Sequence, residues 1–172
     1  MAVVEDPGKE LDPACPWRNE EVQRLVNLIL SSHQRAFNQP LLINTNTQLK
    51  RSGLLQNSQR LFSAGFPVLA HDGGNDPLLT YANGAALKLW HRPWNLMIGM
   101  PSRLTAPAGE RQARSRALSS ARQLDAIKGY HGIRINSKGQ IFEIKDARIW
   151  TVWNREGKAC GQAASFEDWS LL

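Results

Sequence analysis

The sequence predicts an α+β domain: a five-stranded antiparallel sheet with helices on one face, preceded by an N-terminal two-helix extension. Three observations predict it. The end of the chain reads as three strands joined by two turns, Asn136-Ser137-Lys138-Gly139 and Asn154-Arg155-Glu156-Gly157, which both begin with Asn and end with Gly. Two shorter apolar runs flank the turn-rich stretch His71-Asp72-Gly73-Gly74-Asn75-Asp76-Pro77. Two stretches of helical periodicity stand before them. The 172 residues suit one domain plus an extension. We divide them into a loose, Pro- and acid-rich N-terminus (1–16), a helical extension (17–65) and the sheet domain (66–172).

The elements follow in order. Asn19 precedes Glu20-Glu21, and Val22, Leu25, Val26 and Ile29 recur at helical spacing, so a capped helix is expected over 20–37. Pro40 stops it. A second amphipathic helix is expected over 47–63, with Leu54, Leu55, Leu61 and Phe62 on its apolar side and Gly53 weakening it. Phe66 to Ala70 and Leu78 to Ala82 read as a strand hairpin, and 85–91 as a short helix. Residues 92–109 are irregular, and a longer helix is expected over 110–127 through Ala117, Leu118, Ala121 and Leu124. Strands over 130–136, 140–153 and 158–166 close the chain. In the middle one, Phe142 and Ile144 alternate with Glu143 and Lys145, but beyond Asp146 both faces turn apolar. A bulge near Ala147 explains the change, and the second apolar face needs a cover that the N-terminal helices can supply. Such helices can also pair with those of a second copy, so a homodimer arm is their other expected use.

Composition narrows the function classes. No apolar run approaches the roughly 18 residues of a membrane span, and the N-terminus lacks the basic-then-apolar pattern of a secretory signal. A soluble protein of the cytoplasm, with no membrane partner, is expected. Cys15 and Cys160 have no metal-ligand spacing. The net charge is +6, and most of the excess lies after residue 65, where fourteen Lys/Arg face nine Asp/Glu. Arg111, Arg114, Arg116 and Arg122 crowd one helix against Glu110 and Asp125. They could track phosphates, giving a basic adaptor for nucleic acid or an acidic protein surface. A merely solvated face is the plainer reading, since no aromatic interleaves them for base stacking.

The element order resembles that of the PAS fold, in which helices and a concave sheet face enclose a small interior. Several blocks then resemble the MEKHLA domain: His71-Asp72, Asp76-Pro77, Tyr81-Ala82-Asn83, Ala86-Leu87, Trp90, Met100-Pro101-Ser102-Arg103, Thr105-Ala106, Tyr130, Gly132-Ile133-Arg134-Ile135, Trp150, Gly161-Gln162-Ala163-Ala164-Ser165-Phe166 and Trp169. One departure is Pro107, where an acid is expected. The resemblance covers about 67–169 and implies a PAS-related module of the free-standing bacterial or algal type, with no established reaction. Gln162 falls in the last strand, where flavin-binding relatives of PAS place a glutamine. Residues 84–127 contain no cysteine, so the covalent flavin photochemistry of that class is unavailable.

No catalytic set emerges. His71-Asp72 and Ser102 lack a third orienting group, and His71-Asp72 better suits a strand end bonding turn amides. His33, His71, His91 and His131 show no paired spacing for a metal or haem. The cofactor is left unknown. Tyr81, Asn83, Trp90, Met97, Arg103, Trp150 and Gln162 are expected to line a common ligand cavity, with Arg103 grasping a carboxylate or phosphate. The competing role for Arg103 is an internal brace to an acid such as Asp76. The expected function is therefore a non-enzymatic sensory or interaction module that binds a small ligand or a protein partner.

Overall fold

The structure, a computed structural model, describes residues 11–43 and 53–172. The first expected helix forms as α1 (Glu20–Phe37). Asn19 Oδ1 accepts from the Glu21 and Val22 amides at 2.9 and 3.2 Å, and Asn38 ends the helix in the left-handed conformation. The second helix is described as α2 (Leu54–Phe62). Its expected start at 47–52 lies outside the described residues.

β1 (Val68–His71) and β2 (Leu79–Ala82) pair antiparallel. Short helices α3 (Gly84–Trp90) and α4 (Trp94–Met97) follow, and then α5 (Arg111–Leu124). Residues 92–109, read as irregular, also contain single 3-10 turns at Ser102–Thr105 and Ala108–Glu110. The chain closes through β3 (Ala126–Ile135), β4 (Ile141–Trp153), β5 (Ala159–Ser165) and β6 (Asp168–Leu171). The sheet runs β2-β1-β5-β4-β3, with β6 also on β4, and the pairings are antiparallel. Gly139 and Gly157 take the expected positive φ, 76° and 73°, at the ends of their turns.

The bulge is present. Tyr130 opposes Ala147 while Gly132 opposes Ile144, so β4 carries an extra residue there, and Asp146 has φ 49°. It keeps Phe142, Ile144, Ala147 and Ile149 on one face while turning Trp150 and Val152 to the other. It also explains β6, which extends the five strands expected. Arg148 opposes Ser165 and Lys145 opposes Asp168, so β6 resumes the edge that β5 leaves, on the far side of the bulge.

Both faces of the sheet are covered. On the outer face Val22, Val26 and Ile29 of α1 and Leu61 of α2 pack with Val68, Tyr81, Trp150 and Val152. Trp150 Nε1 donates to Ile29 O at 3.2 Å, and the Trp153 amide donates to Ser32 Oγ at 2.9 Å. The N-terminal helices therefore cover the second apolar face. On the inner face Leu79, Ala86, Trp90, Met97, Phe142, Ile144 and Phe166 form a second cluster beneath the short helices. α5 is held more lightly, and Ala121 is its one fully buried residue.

Candidate functional site

Between α5 and the inner sheet face lies a cavity of about 50 Å3. Its walls include His71 of β1, Trp90 of α3, Arg114 and Leu118 of α5, Arg134 of β3 and Gln162 of β5. His71 and Gln162 stand directly opposite each other in the β1–β5 pairing. This places two polar side chains, 6% and 3% exposed, in a largely apolar enclosure.

Each of these groups is oriented by one bond and leaves a second atom unmet. The Gly73 amide donates to His71 Nδ1 at 3.0 Å, which puts the ring proton on Nε2. Gln162 Nε2 donates to Leu118 O at 2.9 Å. His71 Nε2 and Gln162 Oε1, a donor and an acceptor, are buried without a partner. Burial first, and the Arg114 charge next, lower the His71 pKa to about 4 against the opposing pull of Asp72. Gln162 softens the shift without completing a hydrogen bond. His71 is thus neutral at ordinary pH.

The two arginines are set differently. Arg134 Nη1 donates to Ile133 O at 2.8 Å and Nη2 to Tyr130 Oη at 3.2 Å, with the guanidinium 5.5 Å from the Tyr130 ring. Gly132, between them in sequence, makes the arrangement possible. A Cβ there would meet Tyr130 Oη, and would stand 2.7 Å from Arg134 Nη1. Arg114 approaches from α5. Burial, then the nearby Arg134 charge, lower its pKa to about 10.

The structure does not gather the seven expected site residues into one cavity. Trp90 and Gln162 line it. Met97 is buried in the inner apolar cluster beside Trp90. Tyr81 and Trp150 point to the outer face, Tyr81 because β2 carries an extra residue at Thr80 and Trp150 because of the β4 bulge at Asp146. Tyr81 packs edge-on against Trp94 at 5.8 Å, and burial pushes its phenol well above the usual range. Asn83 is a structural clasp: Oδ1 accepts from the Val68 and Ala86 amides, and Nδ2 donates to Leu61 O and Phe66 O. Arg103 Nε meets Asp76 Oδ1 at 3.1 Å on the surface, the brace geometry. His71-Asp72 bonds the turn, with Asp72 Oδ1 accepting from the Gly74 and Leu78 amides.

The arginine helix divides as well. Arg114 turns inward, Arg111 Nε donates to Ala106 O at 3.2 Å, and Arg122 Nη2 reaches Gly73 O at 3.5 Å. Arg134, like Arg114, lines the cavity without being among the expected site residues. Its signal was a charge two and four places from Gly132 and Tyr130, on the same side of an otherwise apolar-facing strand. Neither cysteine lines the cavity, and Cys160 Sγ contacts Val152 O at 3.4 Å. Among the described residues no His/Cys/Asp/Glu group could hold a metal, and no helix is long and apolar enough to cross a membrane.

Comparison with known structures finds this fold repeatedly. The PAS domain of a protein from Colwellia psychrerythraea aligns with TM-score 0.58 at 15% identity, over 67% of this chain and 95% of that one. An RNA-binding light-oxygen-voltage receptor aligns with TM-score 0.59 at 19% identity, over 76% of this chain but 37% of the receptor. A light-oxygen-voltage domain described with a flavin analogue aligns with TM-score 0.54 at 13% identity, over 68% of this chain and 84% of that one. At these identities the likeness is one of fold. No curated protein matches the chain. The MEKHLA domain model matches residues 23–171, a span running from the first turns of α1 to the end of β6. The chain belongs to the MEKHLA domain family and has the PAS-like architecture that its sequence predicted.

Proposed function

We propose that the protein is a non-enzymatic, cytoplasmic sensory or interaction module whose inner cavity takes up a small molecule. The observation that carries this reading is the pair of orphaned atoms at the cavity wall, His71 Nε2 and Gln162 Oε1. A buried polar group without a partner costs roughly 1–3 kcal/mol. A guest hydroxyl or a water can satisfy both at once by accepting from Nε2–H and donating to Oε1. At about 50 Å3 the cavity holds about one or two waters as it stands. A larger guest is admitted by outward movement of α5, of which only Ala121 is fully buried.

The test compares the intact mass of the purified protein under native and denaturing conditions, followed by thermal-shift screening against metabolites. A native-only adduct, or a stabilising hit abolished by Gln162→Leu, is expected. Equal masses together with no stabilising hit would overturn the reading. The alternative, a basic adaptor for nucleic acid or an acidic surface, loses force from the inward turn of Arg114 and the loop contacts of Arg111 and Arg122.

A further inference from the structure

We infer that the cavity is a site for a small monocarboxylic acid, its carboxylate held between Arg114 of α5 and Arg134 of β3 and its apolar body against the inner sheet face. This inference rests on the proposal that the cavity binds a guest, and adds the guest's charge and chemical class. Two guanidiniums from different elements line one cavity, and no Asp or Glu is among its walls. Arg134 is 7% exposed, and its hydrogen bonds go to the neutral Ile133 carbonyl and Tyr130 hydroxyl. Among the described residues neither arginine forms an ion pair. Arg114 is half-buried beside Arg134, and two like charges brought together with reduced access to water and no counter-ion are unfavourable unless an anion joins them.

The surrounding groups suit a carboxylate. Guanidinium forks match its two oxygens. Tyr130 Oη, having accepted from Arg134, still carries a proton to donate, and His71 Nε2–H is unpaired. Leu69, Leu79, Trp90, Ile149 and Phe166 complete the wall and exclude a second charge from the rest of the guest. A phosphate, with more acceptor atoms to satisfy and no apolar part, leaves this apolar side unused. Arg114 is carried by α5, so an acid taken up beneath that helix couples occupancy of the cavity to the position of α5.

The test titrates the full-length protein with acetate, butyrate, benzoate and phenylacetate. The corresponding neutral amides and inorganic phosphate run in parallel, and backbone amide NMR shifts of β3, β5 and α5 are followed. At least one acid is expected to move these signals, with its amide at least tenfold weaker. Arg114→Gln should weaken the acid at least tenfold and Arg114→Lys less. Because Arg114→Gln relieves the repulsion with Arg134, its ligand-free melting temperature should match or exceed the wild type, so lost binding cannot be put down to misfolding. Amides binding as tightly as acids, or acid binding indifferent to Arg114→Gln, would overturn the carboxylate assignment while leaving a guest-binding cavity. Phosphate binding as tightly as the best acid would overturn the carboxylate class in favour of a simple oxyanion site. No response to any probe, together with equal native and denatured masses, would remove both the site and its chemistry.

Discussion

Gln162 illustrates how one residue can serve function against stability. Its Nε2 bond to Leu118 O anchors α5, while its Oε1 stays buried and unmet. Gln162→Leu removes the orphan and leaves the Leu118 carbonyl to its helical bond. Its ligand-free stability is therefore expected to be equal to the wild type or up to about 1 kcal/mol higher by urea denaturation, with guest binding lost. A large loss of stability would show that Gln162 is structural. Gly161, its neighbour, is a matter of space: a Cβ there would run into His71 O, backbone that cannot rotate away. Gly161→Ala is expected to cost about 1–3 kcal/mol in the same measurement.

The two buried histidines set a pH dependence. His33 and His71 both have pKa values lowered from 6.5 to about 4, chiefly by burial. His33 Nδ1 faces Gln39 O at 3.0 Å and Nε2 faces Arg148 Nη1 at 3.2 Å, and Lys128 adds to the repulsion of a ring proton. The unfolded chain takes up protons on both residues below pH 6.5, which the folded chain resists until about pH 4. Stability is therefore full above pH 6.5 and declines progressively toward pH 4. Melting temperatures measured across that window should fall on acidification; a flat profile would contradict the buried, neutral assignment.

Among the elements, α1 and α5 make opposite contributions. α1 seals the outer face through Val22, Val26 and Ile29 and through the Trp150–Ile29 hydrogen bond. Ile29→Ala is expected to destabilise by about 2–5 kcal/mol, read as a lower urea midpoint. This packing turns the apolar stripe of α1 inward. A homodimer through the N-terminal helices would therefore draw on residues such as Leu54 and Leu55 of α2, 38% and 50% exposed. α5 buries one residue fully, so its amides should exchange with deuterium much faster than those of β4 and β5, and slow when a guest binds. Equal protection of α5 and the central strands without a guest would deny it the role of moving wall.

Elements were legible in the sequence where the causes are local. The Asn19 cap, the acids after it and the apolar stripe fixed α1 to the residue, and the paired Asn…Gly turns fixed the closing meander. β6 was not, because Asp168-Trp169-Ser170-Leu171 becomes a strand only through an edge of β4 that the bulge at Asp146 sets. The site was legible in part. Trp90 and Gln162 are among the expected residues that line the cavity, whereas Tyr81 is turned outward by an extra residue at Thr80 of β2, which no local signal marks. Trp150 falls on the second apolar face that the expected bulge implies, under α1 and away from the cavity. Arg114 looked like a solvated helix residue because what draws it inward, the cavity beside Arg134, is assembled from strands far away in the chain.

For the whole molecule, the two-faced sheet separates tasks. The outer face, closed by α1 and α2, holds the fold together. The inner face holds a small cavity with two unbalanced arginines and two orphaned polar atoms beneath a helix that can yield. A guest there would be reported at the surface by the position of α5. The most direct measurement is a high-resolution crystal structure of the protein with the best-binding acid. The account predicts density for a carboxylate between Arg114 and Arg134, with His71 Nε2 and Gln162 Oε1 both newly bonded. Density showing a collapsed space, Arg114 turned to solvent and Gln162 Oε1 bonded to protein would contradict it.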